Sequence, residues 1–276
     1  MLKSLLVLLN DAKRAYRAPD LALRWAASHC AQVVGLSALD TESLSGGEAV
    51  PLGAMSAKEH RDQVILEEAR SRMASASDRF QTLCVQAGIA GKTLSEESRA
   101  SDVIAREAQR HDLVLVDHPQ PQEAFGCLSS DQLVAVVKHC PRPLVVVPDR
   151  PSISCDVVIA YDGSRQAARA VQAFVQSGLA AGCAVRVLGC ADWYVTAAKR
   201  IDLAVEFLNL HGISAEAVPI ASVEDPAVVI LHHLKEKPAG LLVMGTFGQN
   251  MIREALFGSV TRRLLEHCPV PVFLYH

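Results

Sequence analysis

The chain has 276 residues, half of them hydrophobic and 21% charged, with a net charge of −3. That length suits two domains, each able to bury a core, and the composition is that of a globular protein. The near-neutral balance gives no electrostatic reason to expect nucleic acid or an anionic membrane as partner. No apolar run approaches the roughly 20 residues of a membrane helix.

The opening Met1-Leu2-Lys3-Ser4-Leu5-Leu6-Val7-Leu8-Leu9 has the hydrophobicity of a signal peptide. Its apolar core is short, however, and meets Asn10-Asp11-Ala12-Lys13-Arg14 without a convincing cleavage site. It reads as a strand (Ser4–Leu9), and the chain is expected in the cytoplasm. A helix follows at Pro19–His29 and a second strand at Gln32–Ala38. Ser45-Gly46-Gly47 and Pro51-Leu52-Gly53 read as a loop. A long helix is predicted from about Ala57 to Ala87, where Leu66, Ala69, Met73, Ala76, Phe80 and Leu83 recur at helical spacing and form one core face. A short strand, a helix (Ser101–Arg110), a strand (Leu113–Asp117), another helix and a last strand (Pro143–Val147) complete the first half. Pro148 to Pro151 mark a boundary, giving domains at 1–149 and 153–276.

The second half repeats this order. Strand Asp156–Tyr161, helix Arg165–Leu179, strand Ala184–Cys190 and helix Val195–His211 come first. A short strand, helix Pro226–Lys235, strand Leu241–Met244, helix Val260–His267 and strand Pro271–Tyr275 follow. The repeat is visible in the residues themselves. His139-Cys140-Pro141-Arg142-Pro143 returns as His267-Cys268-Pro269-Val270-Pro271, and Leu113–Val116 returns as Leu241–Met244, both 128 residues later. Strands alternating with helices predict an α/β fold: two tandem, open-twisted, mostly parallel five-stranded sheets with helices on both faces. Ligands of such sheets bind beyond the carboxyl ends of the strands.

Eight cysteines are present and none forms a CxxC pair. They are read as small buried hydrophobes rather than metal or redox groups. His232-His233 lacks carboxylates at metal-ligand spacing and is read as surface or packing. No metal site is expected. His118 reads as a loop histidine. Arg253 is placed to pair with a phosphate or to stand in solvent, and Trp193 and Tyr194 to pack beside a base or at a helix start.

The chemistry concentrates at Gly245-Thr246-Phe247-Gly248, followed after nine residues by Gly258-Ser259-Val260. This Gly-x2-Gly-x9-Gly-Ser pattern lies between a strand and a helix. Glycines permit close backbone approach, and a helix start offers unpaired N–H groups and partial positive charge to an anion. With Asp162-Gly163-Ser164 and the ending Cys268-Pro269-Val270-Pro271-Val272-Phe273-Leu274, the pattern resembles the universal stress protein family over about residues 153–276. The likeness is looser before that.

The resemblance implies an adenine nucleotide α-hydrolase-like, Rossmann-like fold and an ATP-binding (or ADP- or AMP-binding) stress-response protein, with Mg as an optional companion. It implies that Asp162 contacts the nucleoside and that backbone near Leu188 and Gly189 reads the base. Gly245, Gly248, Gly258, Ser259 and Val260 would hold the phosphates. Taken alone, Asp162-Gly163-Ser164 also reads as a helix-start turn. In the first half the matching positions are Asp117, Gln120, Ser130 and Asp131, with Asn10 at the place of Asp162. The glycines are gone, Pro119 and Pro121 are added, and Asp131 or Ser130 is placed to cap its own helix. One site per chain is expected, in the second half.

No GxxxxGK[ST] motif, loop lysine or catalytic base is evident, so at most slow ATP hydrolysis is expected and no catalytic residue is assigned. The alternatives are an adenine-nucleotide-using enzyme of the α-hydrolase type and an interaction scaffold with a vestigial site. The expected partners are the nucleotide and an unidentified protein. The two closing strands are expected to meet within the chain, making an internal pseudo-dimer, with a further homodimer left open.

Overall fold

A computed structural model describes residues 1–10, 17–41, 55–119, 128–152, 154–246 and 259–276. The chain divides into two compact units. The N-terminal unit comprises residues 3–111 and 115–141, and the C-terminal unit residues 1–2, 112–114 and 142–276.

In the N-terminal unit β1 (Ser4–Leu8) leads to α1 (Arg17–His29) and β2 (Gln32–Ala38). Next come α2 (Met55–Ala87), β3 (Gly91–Glu96) and α3 (Ala100–Glu107), which tightens into a 3-10 turn at Ala108–Arg110. β4 (Leu113–Asp117) and α4 (Ser130–His139) follow. The strands lie in the order β3-β2-β1-β4, with β1 parallel to β2 and β2 parallel to β3. Every residue of β1 and β4 is buried, so the sheet is covered on both faces and its strands read as continuous apolar runs. The signal-like opening is therefore a core strand.

The long helix α2 buries Ala69, Met73, Ala76, Phe80 and Cys84. This is the expected stripe from Ala69 to Phe80, but Leu66 and Leu83 at its two ends are only half-buried and the last inward position is Cys84. Phe80 rests on β2, where a Cβ at Gly35 would stand 2.7 Å from its ring. Hydrogen at that position gives the ring room against the sheet.

The C-terminal unit contains β5 (Leu144–Val147), β6 (Val157–Ala160), α5 (Arg165–Ser177), β7 (Val185–Ala191), α6 (Tyr194–Leu210) and β8 (Ala215–Ala221). It continues with α7 (Pro226–Glu236), β9 (Leu241–Gly245), α8 (Ser259–His267) and β10 (Val272–Tyr275). Its strand order is β5-β10-β9-β6-β7-β8. All described pairings are parallel except β5 with β10, which run antiparallel with Val146 opposite Val272 and Leu144 opposite Leu274. The first half's closing strand thus makes a sixth strand here and covers the open edge of β10. Phe174 of α5 meets Phe273 of β10 edge to face, with ring centroids 6.1 Å apart, a favoured geometry for two buried rings. The helix ends at Gly178, whose φ of 77° is left-handed and suits a residue without a Cβ.

The cysteines divide by environment. Cys84, Cys140 and Cys268 are buried as expected, but Cys30 and Cys155 are exposed. Among the described residues no helix is long and apolar enough to cross a membrane.

Candidate nucleotide site

The site lies in the C-terminal unit, beyond the carboxyl ends of β6, β7 and β9. β6 is central, pairing with β7 on one side and β9 on the other, and its last residue Ala160 stands opposite Leu188 and Met244. The chain leaves β6 through Tyr161-Asp162-Gly163-Ser164. Gly163 takes a φ of 78°, which side chains with a Cβ disfavour. Asp162 Oδ1 accepts the Ser164 N–H at 2.9 Å. Ser164 Oγ in turn accepts the Ala167 N–H at 3.1 Å and caps α5. The triplet is thus a built helix-start turn, and it leaves Asp162 exposed at the strand end. Burial, and after it the Asp162 charge, pushes the Tyr161 hydroxyl above its ordinary pKa.

β7 continues past the end of β6 as Gly189-Cys190-Ala191, paired there with β8. Peptide groups alternate sides along a strand. The Leu188 carbonyl accepts the Tyr161 N–H at 2.9 Å, and the Ala191 carbonyl accepts the Ser222 N–H at 2.9 Å. Leu188 therefore faces β6 with its carbonyl engaged, whereas Gly189, in phase with Ala191, faces β8. The backbone that opens beyond the end of β6 is that of Cys190. Its carbonyl accepts a hydrogen bond from Arg200 Nη1 at 3.2 Å. Arg200 also passes within 3.8 Å of where a Cβ at Gly163 would stand. The Arg200 stem thus borders the Asp162 turn while its guanidinium holds the Cys190 carbonyl. Sequence reasoning missed Arg200, because nothing in its local spacing distinguishes it from any surface arginine.

Gly189 has a packing reason to be glycine, since a Cβ there would stand 2.4 Å from Ile201 of α6. The Cys190 thiol is pushed up to about 11 by burial, which keeps it protonated and poorly nucleophilic. Trp193 and Tyr194 open α6 with 75% and 59% exposure, so neither serves as core packing at the helix start.

β9 ends at Gly245. A Cβ there would lie 2.4 Å from the Ala167 nitrogen and 2.4 Å from the Gln166 carbonyl carbon, both in the first turn of α5. Glycine at this strand end lets the helix N-terminus touch the sheet. Thr246 is buried, and both its N–H (2.8 Å) and its hydroxyl (3.3 Å) bond the Tyr275 carbonyl. Gly248, Arg253 and Gly258 lie outside the described residues. Ser259 opens α8 exposed, with Val260 half-buried behind it. Arg263 of α8 pairs with Asp225 at 3.0 Å, the residue whose carboxylate caps α7 through the Ala227 N–H at 2.8 Å.

The corresponding strand end of the N-terminal unit is closed. Asp117, at the Gly245 position, is buried. Its Oδ1 accepts the Ala18 N–H at the start of α1 at 2.8 Å, and its Oδ2 accepts from the Asn10 side chain. The carboxylate fills the space a glycine would leave and satisfies the helix N–H that an anion would need. α4 is capped by Ser129, not by Ser130 or Asp131: Ser129 and Gln132 form a reciprocal capping box. The expected cap is thus shifted by one residue, because Ser130 already has helical geometry. His118 donates to the Pro119 carbonyl at 2.9 Å. Gln120 and Pro121 lie outside the described residues. Among the described residues no group of three or more His, Cys, Asp or Glu is gathered for a metal ion. His233 is buried and His232 is exposed.

Residues 156–276 match the model of the Universal stress protein family. The C-terminal half contains a universal stress protein domain. A curated relative, Universal stress protein Slr1230 of Synechocystis, is 25% identical over 142 residues, 51% of this chain and 49% of its own. The chain therefore spans about half the length of that relative. In fold, a universal stress protein from Archaeoglobus fulgidus DSM 4304 is similar over 98% of this chain and 97% of its own, with a TM-score of 0.66 at 16% identity. A functionally unknown protein from Pseudomonas aeruginosa PAO1 follows with a TM-score of 0.59 at 17% identity, covering 99% of this chain and 92% of its own. The fold likeness thus extends over both halves, whereas the family model covers the universal stress protein domain alone.

Proposed function

We propose that the chain is a stress-response regulator that binds one adenine nucleotide, in the universal stress protein domain. The observation that carries this reading is the contrast between two strand ends. At Asp117 the chain supplies its own anion to the start of α1, whereas at Gly245 the matching strand end carries no side chain and lies against the start of α5. Asp162 would meet the ribose or base, and the Cys190 peptide would read the base edge. Arg200 would lie against the nucleoside or its phosphates. Gly248, Gly258, Ser259 and Val260 would cradle the phosphates through backbone N–H groups and a helix start. The domain would act by binding, with the nucleotide altering a surface that a protein partner senses. The degenerate first half would serve as a second universal stress protein domain without a nucleotide.

Calorimetric titration of the full chain with ATP, ADP and AMP tests the proposal. One site per chain, weakened by a bulky residue at Gly248 or Gly258, is the expected result. Two equivalent sites, or affinity unchanged in both variants, would overturn it. Turnover should stay far below the median enzyme rate of about 10 per second. ATP hydrolysis at ordinary enzyme rates, lost on Asp162→Ala, would make the domain an enzyme instead.

A further inference from the structure

We infer that Cys155 and Cys183 are a reversible dithiol–disulfide pair. β6 and β7 run parallel with Val157 opposite Val185, and the Val157 N–H meets the Ala184 carbonyl at 2.9 Å. Cys155 and Cys183 each precede their member of that pair by two residues. Both cysteines lie just before their strands, so the register of β6 on β7 brings their segments side by side where the ladder begins, and the Cys183 thiol meanwhile rests on the Leu179 and Ala181 carbonyls at 3.5 and 3.7 Å. Neighbouring strands are about 4.8 Å apart, within the roughly 4.4–6.8 Å between Cα atoms that a disulfide bridges.

Local bonds hold both segments. The Asp156 N–H reaches Ser154 Oγ at 3.1 Å, the Asp156 carbonyl accepts from Gly240 at 2.7 Å, and the Cys183 N–H reaches the Ala180 carbonyl at 3.1 Å. Burial raises the Cys183 pKa, and the Cys155 charge and a side-chain hydrogen bond to Cys155 raise it further, with Asp156 adding a smaller push. Cys155 is exposed and Cys183 half-buried, which assigns their order of reaction.

With oxidised glutathione as the oxidant, the Cys155 thiolate attacks one glutathione sulfur. A mixed disulfide forms and one glutathione thiolate leaves. Cys183 then gives its proton to solvent and attacks the Cys155 sulfur, expelling the second glutathione. Two protein thiols become one disulfide, and the two electrons leave on glutathione, reduced to two thiols. The bridge ties the amino ends of β6 and β7, at the sheet edge opposite the nucleotide site.

The test is exposure of the full reduced chain to oxidised glutathione, acid quench, alkylation and non-reducing peptide mass mapping. The expected product is one peptide pair joining Cys155 to Cys183, about two hydrogen masses lighter than the reduced pair and released by dithiothreitol. Cys183→Ser should trap a single glutathione on Cys155, and Cys155→Ser should leave Cys183 reduced. Wild-type chains that keep glutathione on Cys155 without the cross-link would overturn the inference. So would chains that couple Cys155 to another chain, or a Cys155→Ser variant that takes glutathione on Cys183 as fast as wild type forms the cross-link.

Discussion

Replacing Gly245 by alanine probes the packing that underlies the site. The added methyl would stand 2.4 Å from the Ala167 nitrogen and 2.4 Å from the Gln166 carbonyl carbon. Carbon contacts are comfortable from about 3.5 Å, so strand and helix must separate by roughly an ångström. Both obstructing atoms are main chain and cannot rotate away. Overpacking costs about 1–3 kcal/mol, and a rigid obstacle places this case at about 2–3 kcal/mol, or roughly 5–10 °C in Tm for a unit of this size. Urea unfolding followed by circular dichroism measures the loss. Gly163→Ala is the companion variant: its Cβ meets only the Arg200 stem at 3.8 Å, but its φ of 78° is left-handed. It should cost about 1–2 kcal/mol through backbone strain alone. Gly245→Ala within about 0.5 kcal/mol of wild type, the ordinary scatter of harmless substitutions, would refute the claim that helix contact requires glycine there.

Other consequences follow from single groups. Asp117→Ala strands the buried Asn10 amide and the Ala18 N–H, and should lower the unfolding free energy from urea denaturation by about 1–3 kcal/mol without creating a nucleotide site. Ser164→Ala removes the α5 cap and should cost about 1 kcal/mol by urea unfolding. Burial, followed by Arg186 and Lys237, lowers the pKa of His233. The unfolded chain therefore binds a proton more readily than the folded one, so stability should be full above the unfolded value of about 6.5 and fall as pH drops below it. His233→Leu should flatten that part of a stability–pH curve. With Cys190 and Cys268 both pushed up to about 11 by burial, iodoacetamide at pH 8 should label the exposed Cys30 and Cys155 first and leave those two nearly untouched.

Element type and order were legible in the sequence because strands buried on both faces must be apolar throughout, as in Leu5–Leu8 and Leu113–Val116, while α2 must repeat its apolar residues at helical spacing. The glycine pattern and the loss of those glycines at Asp117 were legible as composition alone. What Asp117 does was decided only in three dimensions. Its partner N–H belongs to Ala18, 99 residues away, and no local rule joins them. Which peptide groups stay open at the end of β7 was likewise decided in three dimensions: the Leu188 carbonyl is engaged by Tyr161 and the Cys190 carbonyl by Arg200, because β6 stops where it does. Arg200 reaches the Cys190 carbonyl because α6 packs on β7, closely enough that a Cβ at Gly189 would meet Ile201. Likewise, Cys155 and Cys183 became a pair only through the register of β6 on β7. Sequence patterning determines which face of an element is buried. Register and helix approach determine which polar groups remain for chemistry, and both depend on partners distant along the chain.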